Sequence, residues 1–186
     1  MFRKIIYFFL FPAFMLACQK EEKGTEVKTK NQVLTIQVSS MAFTNGGTIP
    51  EKYTCDGQNV SPALSWSGIP QGTKTIALIY EDPDAPMRTW VHWVLYNLPA
   101  DITHLMEGTP NHEVLDDGAN QGKNDFHKIG YGGPCPPRGS THRYFFKVYA
   151  LDSEIKLDGG ATKKELVKAM AGHILAEGQL MGKYGR

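Results

Sequence analysis

The chain has 186 residues, enough for one domain with a sizeable core, and a formal net charge of +1 at pH 7. Its 41% hydrophobic and 21% charged residues argue against disorder of the whole chain, and the small net charge argues against a nucleic-acid-binding protein. The 19 glycines and 11 prolines favour a turn-rich, sheet-dominated fold over a helical bundle.

The N-terminus has the pattern of an export signal. Two basic residues precede an apolar run over residues 5–17, which is shorter than the ~20 residues that a membrane span needs. Residues 15–18 read Met-Leu-Ala-Cys and resemble the lipobox of bacterial lipoproteins, in which the cysteine is lipidated and the chain is cut before it. We therefore predict a signal peptide over residues 1–17 and lipidation of Cys18. The alternative is an ordinary signal peptide that has Cys18 near the cut by chance.

Residues 18–32 predict a lipidated cysteine followed by a flexible tether. Val27 is the only aliphatic residue from 19 to 31, so this segment cannot bury a core. Residues 19–22 (Gln-Lys-Glu-Glu) resemble the run that directs some bacterial lipoproteins to the outer face of the outer membrane; a plain linker is the alternative. The predicted location is an exported lipoprotein anchored in a membrane, the outer membrane being expected, facing the periplasm or the cell surface.

The remaining chain, residues 33–186, predicts one mainly β domain. Residues Val33–Val38 alternate as a half-buried strand does, and Thr75–Tyr80 is a continuous apolar run typical of a central strand. Val91–Leu98 and Arg143–Leu151 are rich in β-branched and aromatic residues and predict two further strands.

One helix is expected near the end of the chain, after a long loop over residues 101–139. Thr162 and Glu165 have the spacing of a capping box. Apolar residues then recur at helical spacing as far as Leu175. A loop of this length in a compact domain is often functional.

The first motif that could carry chemistry is Asp82–Pro86, followed by Trp90–Trp93. Its two prolines stiffen the loop, so that it can hold a carboxylate at a set angle. Strand alternation predicts that Val91 and Trp93 face one side and His92 the other, where it is either solvated or lines a cavity. The alternative interpretation is a turn followed by a core strand.

The second motif is the glycine- and proline-rich segment Gly130–Pro137, followed by Gly139–Tyr144. Free backbone N–H groups in such a loop can form an anion nest. His142 and Tyr144 are two apart on a predicted strand, so both can donate to one oxyanion. A proline-rich connector into a buried strand is the alternative.

Together these motifs resemble the signature segments of the phosphatidylethanolamine-binding protein family, which includes Raf kinase inhibitor proteins. The resemblance extends from about Val33 to Arg186. It is closest to the bacterial Raf kinase inhibitor-like (YbhB/YbcL-like) branch, through residues 53–57, 59–62, 64–66, 132–137, 173–176 and 183–186.

The resemblance implies two antiparallel sheets in a Greek-key sandwich, a C-terminal helix and a pocket for phosphate-like or phospholipid head groups. The residues it implies for that pocket are Asp82, His92, His142 and Tyr144, with Gly133, Pro134 and Cys135 as a wall. Pro134 has no N–H to donate, and eukaryotic relatives carry a small hydroxyl residue in this loop. Inhibition of a eukaryotic-type kinase is therefore not transferred to this chain.

The chemistry of the four pocket residues agrees with an anion site. His92 and His142 are expected to supply positive charge that grows below pH ~6.5, and Tyr144 a neutral donor. Asp82 would repel an anion, so we expect it to orient a histidine ring or to share a proton with the ligand.

The remaining reactive side chains leave alternatives open. Outside the cytoplasm Cys55 and Cys135 can form a disulfide or remain two free thiols. The histidines have no metal-ligand spacing, Ser140 lies in no Gly-x-Ser-x-Gly motif, and no cofactor is expected. Four other histidines are expected on loops or on the helix surface without a partner: His104, His112, His127 and His173.

The sequence therefore predicts an anion-binding or phospho-headgroup-binding lipoprotein of the cell envelope rather than a dedicated enzyme. One alternative is a protein-interaction or inhibitor module whose pocket receives a side chain of a protein partner. Another is a weak phosphoester hydrolase that uses Asp82, His92 and His142.

Overall fold

Ten strands and one α-helix make up the described part of the computed structural model, which covers residues 34–186 and Phe2. Apart from Phe2, the predicted signal peptide, Cys18 and the tether lie outside the described residues. The strands are β1 Leu34–Thr35, β2 Gln37–Ser39, β3 Leu64–Ser67, β4 Thr75–Asp82, β5 Trp90–Pro99, β6 His104–Leu105, β7 Asn120–Lys123, β8 Thr141–Leu151, β9 Gly160–Thr162 and β10 Ile174–Gly185. The helix α1 is Lys163–Met170, and a 3₁₀ helix spans Glu51–Tyr53.

The strands form two sheets, which confirms the predicted mainly β fold class. The larger sheet has the order β1-β10-β8-β4-β5-β7-β9 and the smaller one β2-β3-β6. The three strong strand predictions correspond to β4, β5 and β8 at the centre of the larger sheet. Two pairings in that sheet, β1 with β10 and β7 with β9, are parallel, so it is mixed rather than antiparallel throughout.

Strand β4 is buried along its whole length because both faces of the larger sheet are covered. Leu78 and Tyr80 face the core shared with the smaller sheet, where Trp66 of β3 packs. Ala77 and Ile79 face the other side and pack with Leu166 and the rest of the apolar face of α1. This double coverage explains the continuous apolar run in the sequence.

The single strand predicted over Val33–Val38 is wrong in one respect. It divides at the buried residue Ile36 into β1, which pairs with β10, and β2, which pairs with β3. The segment thus crosses from the larger sheet to the smaller one.

The predicted helix is correct at its start and too long at its end. Thr162 accepts a hydrogen bond from the Glu165 N–H, and the Glu165 carboxylate accepts one from the Thr162 N–H, which completes the capping box. The helix ends at Met170, and Gly172 then adopts φ 85°, a conformation that favours glycine. Ile174 therefore begins β10 instead of continuing the helix.

The predicted long loop over residues 101–139 contains the short strands β6 and β7, which pair with β3 and β5. Within the described residues, no helix is long and apolar enough to cross a membrane.

Candidate functional site

A cavity of about 430 Å³ lies where β4 ends and β8 begins. Four of the seven predicted pocket and wall residues line it: Asp82, His92, Cys135 and His142. Apolar side chains complete the wall, chiefly Pro86, Trp90, Phe126, Pro136 and Pro137. A larger cavity of about 560 Å³ runs beside β2 and β10 but contains none of the predicted site residues.

A buried hydrogen bond between Asp82 and His142 forms the polar centre of the cavity. The Asp82 Oδ2 and His142 Nδ1 atoms are 2.7 Å apart, and the two residues are 3% and 6% exposed. The other carboxylate oxygen, Oδ1, accepts the backbone N–H of Asp84 at 2.8 Å. The contact expected between Asp82 and a histidine ring is therefore present.

The loop that follows Asp82 is held to β8 by an ion pair between Asp84 and Arg143. The Asp84 carboxylate accepts the Nε and Nη2 groups of Arg143 at 2.9 and 2.6 Å. These hydrogen bonds lower the pKa of Asp84 to about 2, so Asp84 stays ionised and the loop stays closed onto β8 over the ordinary pH range.

The Nε2 atom of His142 remains available for a ligand. The Nδ1 atom is hydrogen-bonded to Asp82, and the partner of Nε2 is the Ser140 hydroxyl at 3.3 Å. That hydroxyl donates a shorter hydrogen bond, 2.7 Å, to the Pro137 carbonyl. If Nε2 carries a hydrogen, it can donate to the Ser140 oxygen at 3.3 Å or, in place of that long contact, to a ligand in the cavity.

His92 differs from His142 and does not carry the expected charge. Its Nδ1 lies 2.7 Å from the Gly132 carbonyl oxygen, which can only accept, so Nδ1 is the protonated nitrogen. The rings of Tyr80, Phe126 and Tyr144 surround it, with centroids at 5.2, 5.3 and 5.3 Å. Burial lowers the pKa of His92 to about 4, so its free Nε2 is an acceptor near neutral pH.

A β-bulge explains the orientation of His92 and corrects the predicted alternation. Tyr80 pairs with Trp93 and Glu81 with Val91, which leaves His92 as the extra residue of β5. Trp93 packs in the core between the sheets, whereas Val91 packs on the helix side. Val91 and Trp93 therefore do not share a face.

Tyr144 lies beside the two histidines rather than on the cavity wall. Its ring centroid is 5.3 Å from that of His92 and 6.4 Å from that of His142. Its hydroxyl is buried and has no hydrogen-bond partner in the described part of the chain. Burial and the negative charge of Asp82 raise the pKa of Tyr144 strongly, so it stays a neutral donor.

Gly133 and Pro134 do not line the main cavity, contrary to the expected wall. The Gly133 N–H donates to Asn59 Oδ1 at 2.7 Å, and the Pro134 carbonyl accepts the Cys55 N–H at 3.1 Å. A Cβ atom at Gly133 would lie 2.4 Å from the Tyr53 carbonyl oxygen, so the close approach of these segments requires glycine. This part of the loop holds the fold together rather than forming an anion nest.

Cys55 and Cys135 form a disulfide in the structure, which is one of the two alternatives left open by the sequence. The sulfur atoms of Cys55 and Cys135 are 2.09 Å apart and close a sequence separation of 80 residues. Cys135 also separates the main cavity from a smaller one of about 140 Å³, which Cys55 and Gly133 help to line.

Arg186 is the main site residue that the sequence reasoning missed. Its guanidinium lines the cavity, with Nη2 3.0 Å from Asp56 Oδ1 and Nη1 3.2 Å from Cys135 Sγ. Antiparallel pairing of β10 with β8 places Arg186 here, because Gly185 lies opposite Thr141. Residues 183–186 carry part of the family resemblance, but nothing in that segment assigns Arg186 to the pocket; the strand pairing does.

Two further observations concern the other titratable residues. Within residues 34–186, no group of three or more His, Cys, Asp or Glu side chains is arranged to hold a metal ion. His173 does have a partner, contrary to expectation, since its Nδ1 lies 2.7 Å from Asp152 Oδ1.

Comparison with known proteins identifies relatives over nearly the whole described domain. The profile of the family named phosphatidylethanolamine-binding protein matches residues 39–185. A UPF0098 protein of Methanothermobacter thermautotrophicus is 50% identical and aligns with 81% of this chain and 99% of its own length. A UPF0098 protein of Aquifex aeolicus is 48% identical, over 81% of this chain and 89% of its own.

Two crystal structures share the fold. A homologue of phosphatidylethanolamine-binding protein from Chlamydia trachomatis has a TM-score of 0.74 and 43% identity, and the match covers 82% of this chain and 98% of the homologue. YbcL of E. coli, named as a member of the mammalian PEBP family, has a TM-score of 0.76 and 35% identity, with 81% and 98% covered.

Proposed function

Because the chain belongs to the phosphatidylethanolamine-binding protein family, we propose that the cavity between Asp82, His142 and Arg186 binds a small phosphate-like anion. The anion is either free or the head group of a phospholipid. We further propose that the protein belongs to the bacterial Raf kinase inhibitor-like branch and acts as an exported lipoprotein of the cell envelope.

The observation that carries the proposal is the convergence of Arg186 and His142 on one partly apolar cavity. Arg186 supplies a permanent charge, and His142, whose ring Asp82 orients, has only a long contact of 3.3 Å at Nε2, with the Ser140 hydroxyl. Guanidinium and imidazolium groups are well suited to phosphate oxygens because their hydrogen bonds are charge-assisted. The apolar wall around Trp90 and Phe126 leaves room for the carbon chain of a head group.

Binding fits the arrangement better than turnover. The Ser140 hydroxyl donates to the Pro137 carbonyl rather than to His142, and His92 donates to the Gly132 carbonyl. Neither side chain is held in a catalytic role by these contacts. The site therefore favours a receptor over a hydrolase.

The test is calorimetric titration of inorganic phosphate and phosphoethanolamine into the full chain in detergent. We expect binding by the wild type and at least ~10-fold weaker binding by His142→Gln, because one charge-assisted hydrogen bond is lost. The exposed His127→Asn variant is the control and should bind as the wild type does. A folded wild-type protein that binds neither anion would contradict the proposal.

Proton uptake gives a second test of the same site. If the anion takes His142 in its protonated form, binding consumes a proton and affinity falls as the pH rises. Sulfate is the appropriate probe because it does not itself titrate between pH 6 and pH 8. Affinity that is the same at both pH values would exclude a protonated His142 as the donor.

Lipidation is tested separately from binding. Cells grown with labelled fatty acid should label the wild-type chain and not the Cys18→Ala variant. A chain that partitions with membranes without label would instead have an ordinary signal peptide or another means of attachment.

A further inference from the structure

The Cys55–Cys135 bridge lies against the only guanidinium that lines the cavity in the described residues. Cys135 Sγ accepts a hydrogen bond from Arg186 Nη1 at 3.2 Å, and the same arginine pairs with Asp56 at 3.0 Å. Cys55 and Cys135 are both exposed residues, so a thiol from solution can reach the bridge. The anion site and a reducible bond therefore share one wall.

We propose that reduction of this bridge switches the cavity to a low-affinity state, because it creates a Cys135 thiolate beside Arg186. The switch rests on the anion-binding function proposed above. A cation in contact with a cysteine favours the thiolate over the thiol. The oxidised bridge is neutral, so in that state Arg186 has one anionic partner in the described residues, Asp56.

The reaction is ordinary thiol–disulfide exchange with a dithiol reductant. One thiolate of the reductant attacks Cys55 Sγ, the bond to Cys135 breaks, and its electron pair leaves on Cys135 Sγ. Arg186 stabilises this leaving thiolate. The second thiol of the reductant then displaces Cys55, which takes up a proton, and the reductant becomes a disulfide.

The local charge balance decides the direction of the effect. Before reduction, Arg186 faces one carboxylate, that of Asp56; after reduction, it faces a carboxylate and a thiolate. The other titratable groups around Cys135 are His92, His142 and Asp82 in the main cavity, and Lys128 and Tyr131 in the smaller one. None of them changes covalently on reduction, so the cavity gains one negative charge and binds anions more weakly.

The binding experiment uses inorganic phosphate and the full chain in detergent, with Cys18→Ser so that only two cysteines remain. At pH 8 we expect the reduced chain to bind about tenfold more weakly than the oxidised chain, as one unit charge several ångströms away can produce. Cys55→Ser, which leaves a free Cys135, should bind as weakly as the reduced chain.

The double variant Cys55→Ser, Cys135→Ser separates charge from cross-linking. It has no bridge and no thiolate, so we expect it to bind phosphate nearly as tightly as the oxidised chain. Equal affinity in the oxidised and reduced chains, or equal weakness in the single and double variants, would overturn the switch. An oxidised chain that binds no phosphate would contradict the proposed function itself.

Alkylation of Cys135 in the Cys55→Ser variant tests the thiolate without any ligand. The pH dependence of the iodoacetamide rate should report a thiol pKa below the ordinary ~8.5, and Arg186→Gln should raise it. An ordinary pKa that does not respond to Arg186→Gln would refute the contact on which the switch depends.

Discussion

His92 and His142 lie in the same cavity wall but have opposite roles at the residue scale. Asp82 holds His142 through a buried carboxylate contact, whereas a backbone carbonyl and three aromatic rings hold His92. A carbonyl satisfies an N–H without favouring a positive charge as a carboxylate does. The site therefore has one histidine that can bind an anion and one that is a neutral part of the core.

The neutral state of His92 predicts a loss of stability in mild acid. The folded protein binds a proton at His92 only near pH 4, whereas an unfolded histidine does so near 6.5. Because the unfolded state binds more protons in this window, the free energy of unfolding should fall by about 3 kcal/mol as the pH drops from 6.5 to 4. Urea unfolding at several pH values measures this loss.

The matched variants are His92→Asn and His127→Asn. Asn at 92 keeps an N–H that can reach the Gly132 carbonyl, so it should remove this part of the pH dependence even if absolute stability drops. His127 is exposed and has φ 60°, which Asn tolerates, so that variant should retain the pH dependence. If the free energy of unfolding of His92→Asn still falls with pH as it does in the wild type, the loss of stability in acid is due to other groups.

Some residues of the candidate site could be predicted from the sequence and others could not. Asp82, His92 and His142 stand in segments that resemble the signature segments of the family, and this resemblance implied that they belong to one site. Residues 183–186 are part of the resemblance, but Arg186 is brought to the site by the pairing of β10 with β8, which that segment alone does not reveal. The charge of His92 could not be predicted either, because it depends on three rings from distant parts of the chain.

At the scale of elements, the period-two alternation of side chains predicted the correct face where strand pairing is regular. It predicted the wrong face where a bulge interrupts the pairing. His142 and Tyr144 share a face of β8 as predicted, because the pairing of β8 with β10 is regular there. A bulge in β5 breaks the same rule at His92. The helix was likewise predicted to extend beyond Met170, because apolar residues continue at helical spacing there. That spacing gives no sign of the turn at Gly172.

The start of α1 predicts a measurable contribution from its capping box. Thr162→Ala removes the side-chain acceptor for the Glu165 N–H and should lower the free energy of unfolding by ~1 kcal/mol. Lys164→Ala, on the exposed side of the same turn, is the control and should change stability little. Chemical denaturation measures the free energy of unfolding of both variants. Equal losses in the two would mean that the capping box makes no specific contribution to stability.

At the scale of the whole molecule, one covalent bond connects distant parts of the domain. The bridge between Cys55 and Cys135 closes a separation of 80 residues, and it joins the segment after the 3₁₀ helix to the loop before β8. Closing so long a loop restricts the unfolded chain, which stabilises the folded state.

Loss of the bridge should therefore lower stability substantially. The double variant Cys55→Ser, Cys135→Ser should lose up to ~4.5 kcal/mol of unfolding free energy, which is the loop-closure value for this separation. Denaturation of the oxidised chain, the reduced chain and the double variant measures it. Identical midpoints in all three would indicate that the bridge does not constrain the unfolded state.

The most direct test of anion binding in this cavity uses the three indole N–H signals of the protein in a phosphate titration followed by NMR. Trp66 and Trp93 donate their indole N–H to Ile102 and Gln121, away from the cavity, whereas Trp90 lines it and has no partner in the described residues. We predict that the Trp90 signal, assigned with Trp90→Phe, shifts with phosphate while the other two stay in place. A saturating titration that leaves the Trp90 signal unmoved, or moves all three alike, would contradict binding in this cavity.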